Sequence, residues 1–475
     1  MSIKSSWSRV HRSSATHHGF QKDLGTFSLT LLTLGGIMGS GLFMASGLVI
    51  KRAGPSALIL YAIGACAMYL EISALGEMSI ASPTPGSFLN YTRMVLGPGW
   101  TFVAGWIFWF SSVLTMSSEV TAASLFSGLW FPEIPLWIWS LAYSLFIISV
   151  NFVSVRGFGT VEDIMAGVKT IAVLLFLVLG TLAVTHALPM TPPSVASLGF
   201  RTFLTHGGWL PQGWLGTLPA FLLVLFAYAG TGVIGLAAAE TKNPKKTIAP
   251  SIRWTTGLIS VMYIGSIILI LNLVPWNHMS SSVSPFVLAV RASVLPYGAS
   301  IMNLVLLFAV LSTMNAALYS NVRVLYGLAR ANQAPRALGK LNAKGIPGNA
   351  IWMSAGLLAL TIILAFVLPH KAYGYLVTAT GFQAMFIWLM VLLTQIYYRP
   401  YLEHYHPDRL TYRLWGFPFT SYLVMAIVIM GLLASPLTQS EFVGAIVGFA
   451  GIVFAWLAWL FVRRRPASAT PPGSG

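Results

Sequence analysis

The sequence predicts an all-α, polytopic membrane protein of twelve transmembrane helices. Three observations lead there: an apolar composition, apolar stretches of spanning length, and basic residues gathered on one side of the resulting threading. Hydrophobic residues make up 56% of the 475 and charged residues only 8%. With a mean hydropathy of +0.77, that composition excludes an ordinary water-soluble globule. A spanning helix needs about 20 apolar residues. Such stretches fall at 26–50, 55–80, 100–130, 136–155, 162–187, 215–239, 252–274, 299–329, 351–368, 372–397, 417–433 and 442–462.

An even number of segments puts both termini on one face. Placing them in the cytoplasm gathers Lys4, Arg9, Arg12, Lys22, Arg93, Arg156, Lys245, Arg253, Arg323, Arg330, Arg399 and Arg463 on that face. The other face receives only Lys51, Arg52, Arg201, Arg291 and Lys371. This is the positive-inside pattern of a cytoplasmic (inner) membrane protein. It accounts for the excess of 27 Lys and Arg over 11 Asp and Glu without a nucleic-acid partner.

In chain order, residues 1–25 read as a basic cytoplasmic tail, too long and polar for a short cleavable signal. His17 and His18 lack neighbouring carboxylates or cysteines and suggest no metal site. Segment one carries GGIMGSGLF, Gly35 to Phe43. Each glycine costs a helix interior about 1 kcal/mol relative to alanine, so four of them mark either a close packing face or a broken helix that offers backbone to a ligand.

Residues 26–188 form a first group of five segments, followed by an external loop at 189–214. A second group of five spans 215–398, a cytoplasmic linker 399–416, an appended helix pair 417–462 and a cytoplasmic tail 463–475. In the second group, SPFVLAV (Ser284 to Val290) is too short to span and should lie as a helix over the mouth of the bundle. FAYAGTGVIG, Phe226 to Gly235, places Gly230, Gly232 and Gly235 in the middle of segment six. A five-segment offset reverses direction across the membrane. The paired breaks therefore predict a 5+5 inverted repeat whose discontinuous helices meet at a central site.

The order and spacing of several motifs carry a family resemblance. GGIMGSGLF, LGEM (Leu75 to Met78), PGSFLNY (Pro85 to Tyr91), GTVEDIMAGVK (Gly159 to Lys169), FAYAGTGVIGLAAAETKNPKKTI (Phe226 to Ile248) and MNAALYSNVRVLYGLARANQAP (Met314 to Pro335) resemble amino acid permeases. The resemblance is to the amino acid–polyamine–organocation superfamily and its bacterial amino acid transporter branch. It implies a leucine-transporter-like fold working by alternating access, a small-molecule amino acid substrate and no cofactor.

An amino acid's carboxylate suits the free amides at a half-helix N-terminus, here Gly39, Ser40 and Gly41. Its ammonium needs acceptors, which the resemblance places at the carbonyls of Ile37, Phe226, Ala227 and Ala229. Met38, Tyr228, Met116 and Glu119 are candidates for contacts with the substrate side chain. Ionisable residues inside the membrane are functional hypotheses by default. By resemblance, Lys169 faces the unwound part of segment one and segment eight, where Ser312 and Thr313 are hydroxyl partners. A lysine exchanging its proton with conformation would couple transport to protons.

Glu77 and Glu240, near cytoplasmic helix ends, suit pairing with loop Arg and Lys as an inner gate or anchor. Glu71, deeper in segment two, receives no role. Relatives usually carry Glu just after the second break, where this chain has Gly232. That argues mildly for a neutral substrate. Proton-coupled uptake of a neutral amino acid is therefore the expected function, with amino acid exchange or a non-transporting sensor on the same scaffold as alternatives; the sequence does not set the oligomeric state. No HExxH, GxSxG or P-loop motif marks an enzyme or ATP-driven pump. The lone Cys66 cannot form an internal disulfide.

Overall fold

The computed structural model describes residues 24–463 apart from 85, 154, 186–206, 242, 281, 292–296, 343–344, 368–370 and 438. The expected N-terminal tail with His17 and His18, most of the external loop and the C-terminal tail lie outside the described residues.

The first half contributes α1 (Thr26–Ile37), α2 (Ser40–Phe43), α3 (Ala45–Ala53), α4 (Ala57–Ala81), α5 (Phe88–Val95), α6 (Pro98–Gly128), α7 (Leu136–Val153) and α8 (Val155–Val184). The second half contributes α9 (Gly213–Thr217), α10 (Ala220–Ala227), α11 (Gly232–Ala237), α12 (Pro244–Leu273), α13 (Pro285–Arg291), α14 (Gly298–Arg330), α15 (Gly348–Val367) and α16 (Ala372–Tyr405). The final pair is α17 (Phe419–Ala434) and α18 (Gln439–Val462).

Among the described residues no β-strand forms, and nine helical stretches are long and apolar enough to cross a membrane. Three shorter apolar helices, Thr26–Ile37, Leu136–Phe152 and Gly348–Ile363, lie in the sequence's segments one, four and nine. Segment one falls short because its helix stops at Ile37 and restarts at Ser40.

Helix boundaries follow from local chemistry. Asn243 caps α12, its side chain accepting from the Lys246 amide at 3.4 Å. Pro244 takes the first turn, where its missing N–H leaves no bond unmade. The outer helices expose apolar side chains such as Ile171, Leu175 and Val178 of α8 and Phe449, Phe454 and Phe461 of α18. Lipid replaces water as their neighbour. α13 packs edge-on, its Phe286 ring 5.5 Å from that of Phe43 and 4.8 Å from that of Phe176. The Ser284 hydroxyl just before it donates to the Phe43 carbonyl at 2.6 Å.

At the basic end the buried Glu77 ties the linker to the bundle. It accepts from the Leu414 amide at 2.6 Å, from Gln395 Nε2 at 3.0 Å and from Arg399 Nη1 at 3.3 Å. Glu240 pairs with Arg323, whose guanidinium lies 3.8 Å over the Tyr319 ring. Both acids are thus paired with arginines, Glu77 with Arg399 and Glu240 with Arg323.

The two interruptions touch. At Gly36 an added Cβ would stand 2.8 Å from Val233 Cγ2, and at Gly41 one would stand 2.7 Å from Ala227 Cα. Gly230, at φ +102°, faces the Gly36 carbonyl with no room for a Cβ. The glycines thus serve close packing and chain interruption together, and the two readings of GGIMGSGLF merge. Gly230→Ala should destabilise the protein by about 2 kcal/mol or more, from left-handed strain plus the clash. Gly232→Ala, whose Cβ would meet only a Phe108 ring carbon at 3.5 Å, should be near neutral. Thermal unfolding of both variants in detergent checks the contrast.

Candidate functional site

Interrupting a helix releases the carbonyls before the break and the amides after it. In hydrocarbon these groups need protein partners. At the first break the Met38 amide still bonds the Leu34 carbonyl at 2.9 Å, while the Gly39 amide turns to Ile37 at 3.0 Å. The Gly35 carbonyl accepts instead from Lys169 Nζ at 2.7 Å, and the Met38 carbonyl from the Thr313 hydroxyl at 2.9 Å. Lys169 also reaches Ser312 Oγ at 3.2 Å and Thr313 Oγ1 at 3.3 Å. The three residues named for proton coupling therefore meet at the first break, with Lys169 buried.

On the far side of that break, Glu119 caps α2. Its Oε2 and Oε1 accept from the Ser40 amide at 2.9 and 3.1 Å, and Oε1 accepts from the Ser40 hydroxyl at 3.0 Å. A carboxylate at a helix N-terminus interacts favourably with the amides and the dipole. The chain's own carboxylate thus stands at the amide that the sequence assigned to a substrate carboxylate. Gly39 makes this approach possible, because a Cβ there would lie 2.5 Å from Glu119 Oε1 and 2.8 Å from Thr313 Cγ2.

At the second break the Ala229 amide bonds the Phe226 carbonyl at 2.9 Å, Gly230 turns the chain, and α11 begins at Gly232. One hydroxyl bridges both breaks. Tyr263 OH lies 3.0 Å from the Ala227 carbonyl and 3.2 Å from that of Ile37, with one proton to share between them. Tyr373 OH donates to the Ser40 carbonyl at 2.9 Å.

A cavity of about 110 Å³ opens beside the joined breaks. Ile37, Gly39, Gly41, Phe226, Ala229, Glu119 and Thr313 border it, together with Glu71, Phe108, Ser112, Thr115, Thr231, Gly232, Ser320 and Trp388. Met38, Ser40, Ala227, Tyr228 and Met116 are not in its wall. Tyr228 is fully buried, with its ring centroid 4.9 Å from that of Tyr263 and its hydroxyl donating to the Tyr61 carbonyl at 2.9 Å. Met116 Sδ faces Asn321 Nδ2 at 3.5 Å. Lys169 and Ser312 lie behind the break rather than in the cavity.

Sequence reasoning missed Tyr263 and Tyr373, and nothing in their apolar segments separates them from packing tyrosines. It named Glu119 but missed Ser111 and Thr115, which were legible: the three recur every four residues and share one face of α6.

The sequence profile of the amino acid permease family matches residues 28–470. An uncharacterized amino acid permease of Bacillus subtilis is 36% identical over 445 residues, covering 93% of this chain and 96% of that one. A γ-aminobutyric acid permease of the same organism is 34% identical over 417 residues, 88% of each chain. A putative histidine permease, also from Bacillus subtilis, is 35% identical over 78% of each. Among solved structures, a mutant of the Eremococcus coleocola manganese transporter is similar with a TM-score of 0.57. That match covers 93% of this chain and 95% of the other at 12% identity, a likeness of fold.

Glu119→Ala should leave the Ser40 amide unsatisfied and destabilise the protein by about 1–3 kcal/mol. Glu119→Gln, which keeps an acceptor oxygen, should lose less. Thermal unfolding of the two variants side by side gives the comparison.

Proposed function

The chain belongs to the amino acid permease family, and on that premise we propose that it is a proton-coupled secondary transporter taking up a neutral amino acid by alternating access. The observation that carries this reading is the contact between the two helix breaks and the cavity beside them. In this reading all twelve sequence segments span the cytoplasmic membrane, both termini are cytoplasmic, and the two groups of five form the inverted repeat.

Gly39 and Gly41 border the cavity, and the backbone amides at this turn are the proposed seat of the substrate carboxylate, with the Ser40 amide joining them if Glu119 withdraws. The walls from Phe108, Ser112 and Ser320 come from the halves of α6 and α14 that end near the basic face. This supports an inward-facing state. Tyr61, Tyr228 and Tyr263 pack together, with 6.0 Å between the first two centroids and 4.9 Å between the last two, and they supply the closed outer side.

Proton coupling rests on Lys169. Its amine meets one break carbonyl and two hydroxyls. An ammonium has three hydrogens to donate and a neutral amine two. Losing a proton there would weaken the hold of α8 and α14 on the first break, and so would favour a change of state.

A competition screen of the common amino acids in proteoliposomes, with and without a pH gradient, tests substrate and coupling together. Counterflow separates a transporter from a sensor, which would bind without labelled exchange. Lys169→Ala should abolish gradient-driven accumulation, and full accumulation by the variant would contradict the coupling.

A further inference from the structure

Glu71 on α4 is 1% exposed, and neither carboxylate oxygen makes a hydrogen bond. The Thr231 hydroxyl stands close without closing a bond of normal geometry. Glu71 also lines the cavity at the second break. A carboxylate removed from water and left without a partner is strongly unfavourable, so its charged form needs a cationic partner, which a ligand in the cavity can bring.

The surroundings specify that group. Glu71 and Glu119 are the ionisable side chains of the cavity wall, and no basic side chain lines it among the described residues. Glu119 is engaged by Ser40. Among the break carbonyls, Ile37 and Ala227 share the single Tyr263 proton and Phe226 accepts from the Ala229 amide, whereas Glu71 is the wall's charged acceptor with no bond made. The rings of Phe88, Phe108 and Trp388 in the same wall are compatible with a cation.

We propose that Glu71 is a substrate-binding residue that receives a positively charged amino group of the transported molecule. The assignment rests on the transport reading above and names the partner of the substrate's ammonium. It also accounts for Gly232, which leaves the space beside Phe108 open, since an added Cβ there meets only that ring at 3.5 Å.

The test measures binding of tritiated L-alanine, L-histidine, L-arginine and γ-aminobutyrate to purified protein by scintillation proximity, with uptake followed in proteoliposomes. Glu71→Gln should weaken binding of the probes that the wild type accepts by about ten- to a hundredfold, as expected for a hydrogen bond to a charged group. Adding Gly232→Glu, a carboxylate supplied from another residue of the same cavity wall, should recover much of it. Loss that includes L-alanine assigns the α-ammonium. Loss confined to L-arginine and γ-aminobutyrate assigns an amino group at the far end of the molecule.

Unchanged binding of every probe by Glu71→Gln overturns the proposal. So does unchanged binding with loss of gradient-driven uptake alone, which would make Glu71 a proton carrier. If Glu71→Gln fails to assemble, Gly232→Lys decides: its tethered ammonium should abolish binding that Gly232→Met leaves intact, and binding by both overturns the assignment. A wild type that binds none of these probes and none of the common amino acids overturns the transport reading itself, and this inference with it.

Discussion

The structure depends on one constraint: backbone opened inside an apolar bundle has to be satisfied by the protein. Two interrupted helices release peptide groups at a depth where lipid offers no hydrogen bonds. The partners come from helices far apart in the chain: Glu119 of α6, Lys169 of α8, Tyr263 of α12, Thr313 of α14 and Tyr373 of α16. Each of these helices is thereby tied to the breaks. The arrangement explains why these polar side chains stand in largely apolar segments.

The same partners occupy several places a zwitterion would use. A carboxylate already sits on the Ser40 amide, and a hydroxyl already bridges the Ile37 and Ala227 carbonyls. An empty site satisfied in this way avoids the cost of bare peptide groups. Under the proposed transport reading, a ligand would bind by exchanging hydrogen bonds with Glu119 and Tyr263. Such a substitution biases a two-state bundle only through the difference in contacts between its states.

Much of this was legible in the sequence because periodicity and glycine placement report on backbone. The breaks at Gly39 and Gly230, the short helix at Pro285–Arg291 and the long α14 follow from glycine placement and segment length, whereas the meeting of Lys169 with Ser312 and Thr313 was implied by the family resemblance. Side-chain direction at an irregular turn was not legible. Tyr228 lies where the α10 helix has just ended, at φ −93° and ψ −1°, and no helical phase predicts that its ring stacks on Tyr263 instead of entering the cavity. Glu71 was visible as an ionisable residue in an apolar segment. Only the tertiary structure shows that it borders the same space as Gly232.

The central claim is that the cavity beside the joined breaks is the substrate site. Cys66 is the sole cysteine of the chain and is exposed, so Cys66→Ser gives a silent background for a reporter at Ala229 in the cavity wall. The measurement is the rate at which Ala229→Cys is alkylated in proteoliposomes, with and without a saturating mixture of the common L-amino acids. The account predicts slower labelling with the mixture, while a lipid-facing Ile171→Cys control labels at an unchanged rate. Equal labelling of Ala229→Cys in both conditions, in protein that still transports, would contradict it.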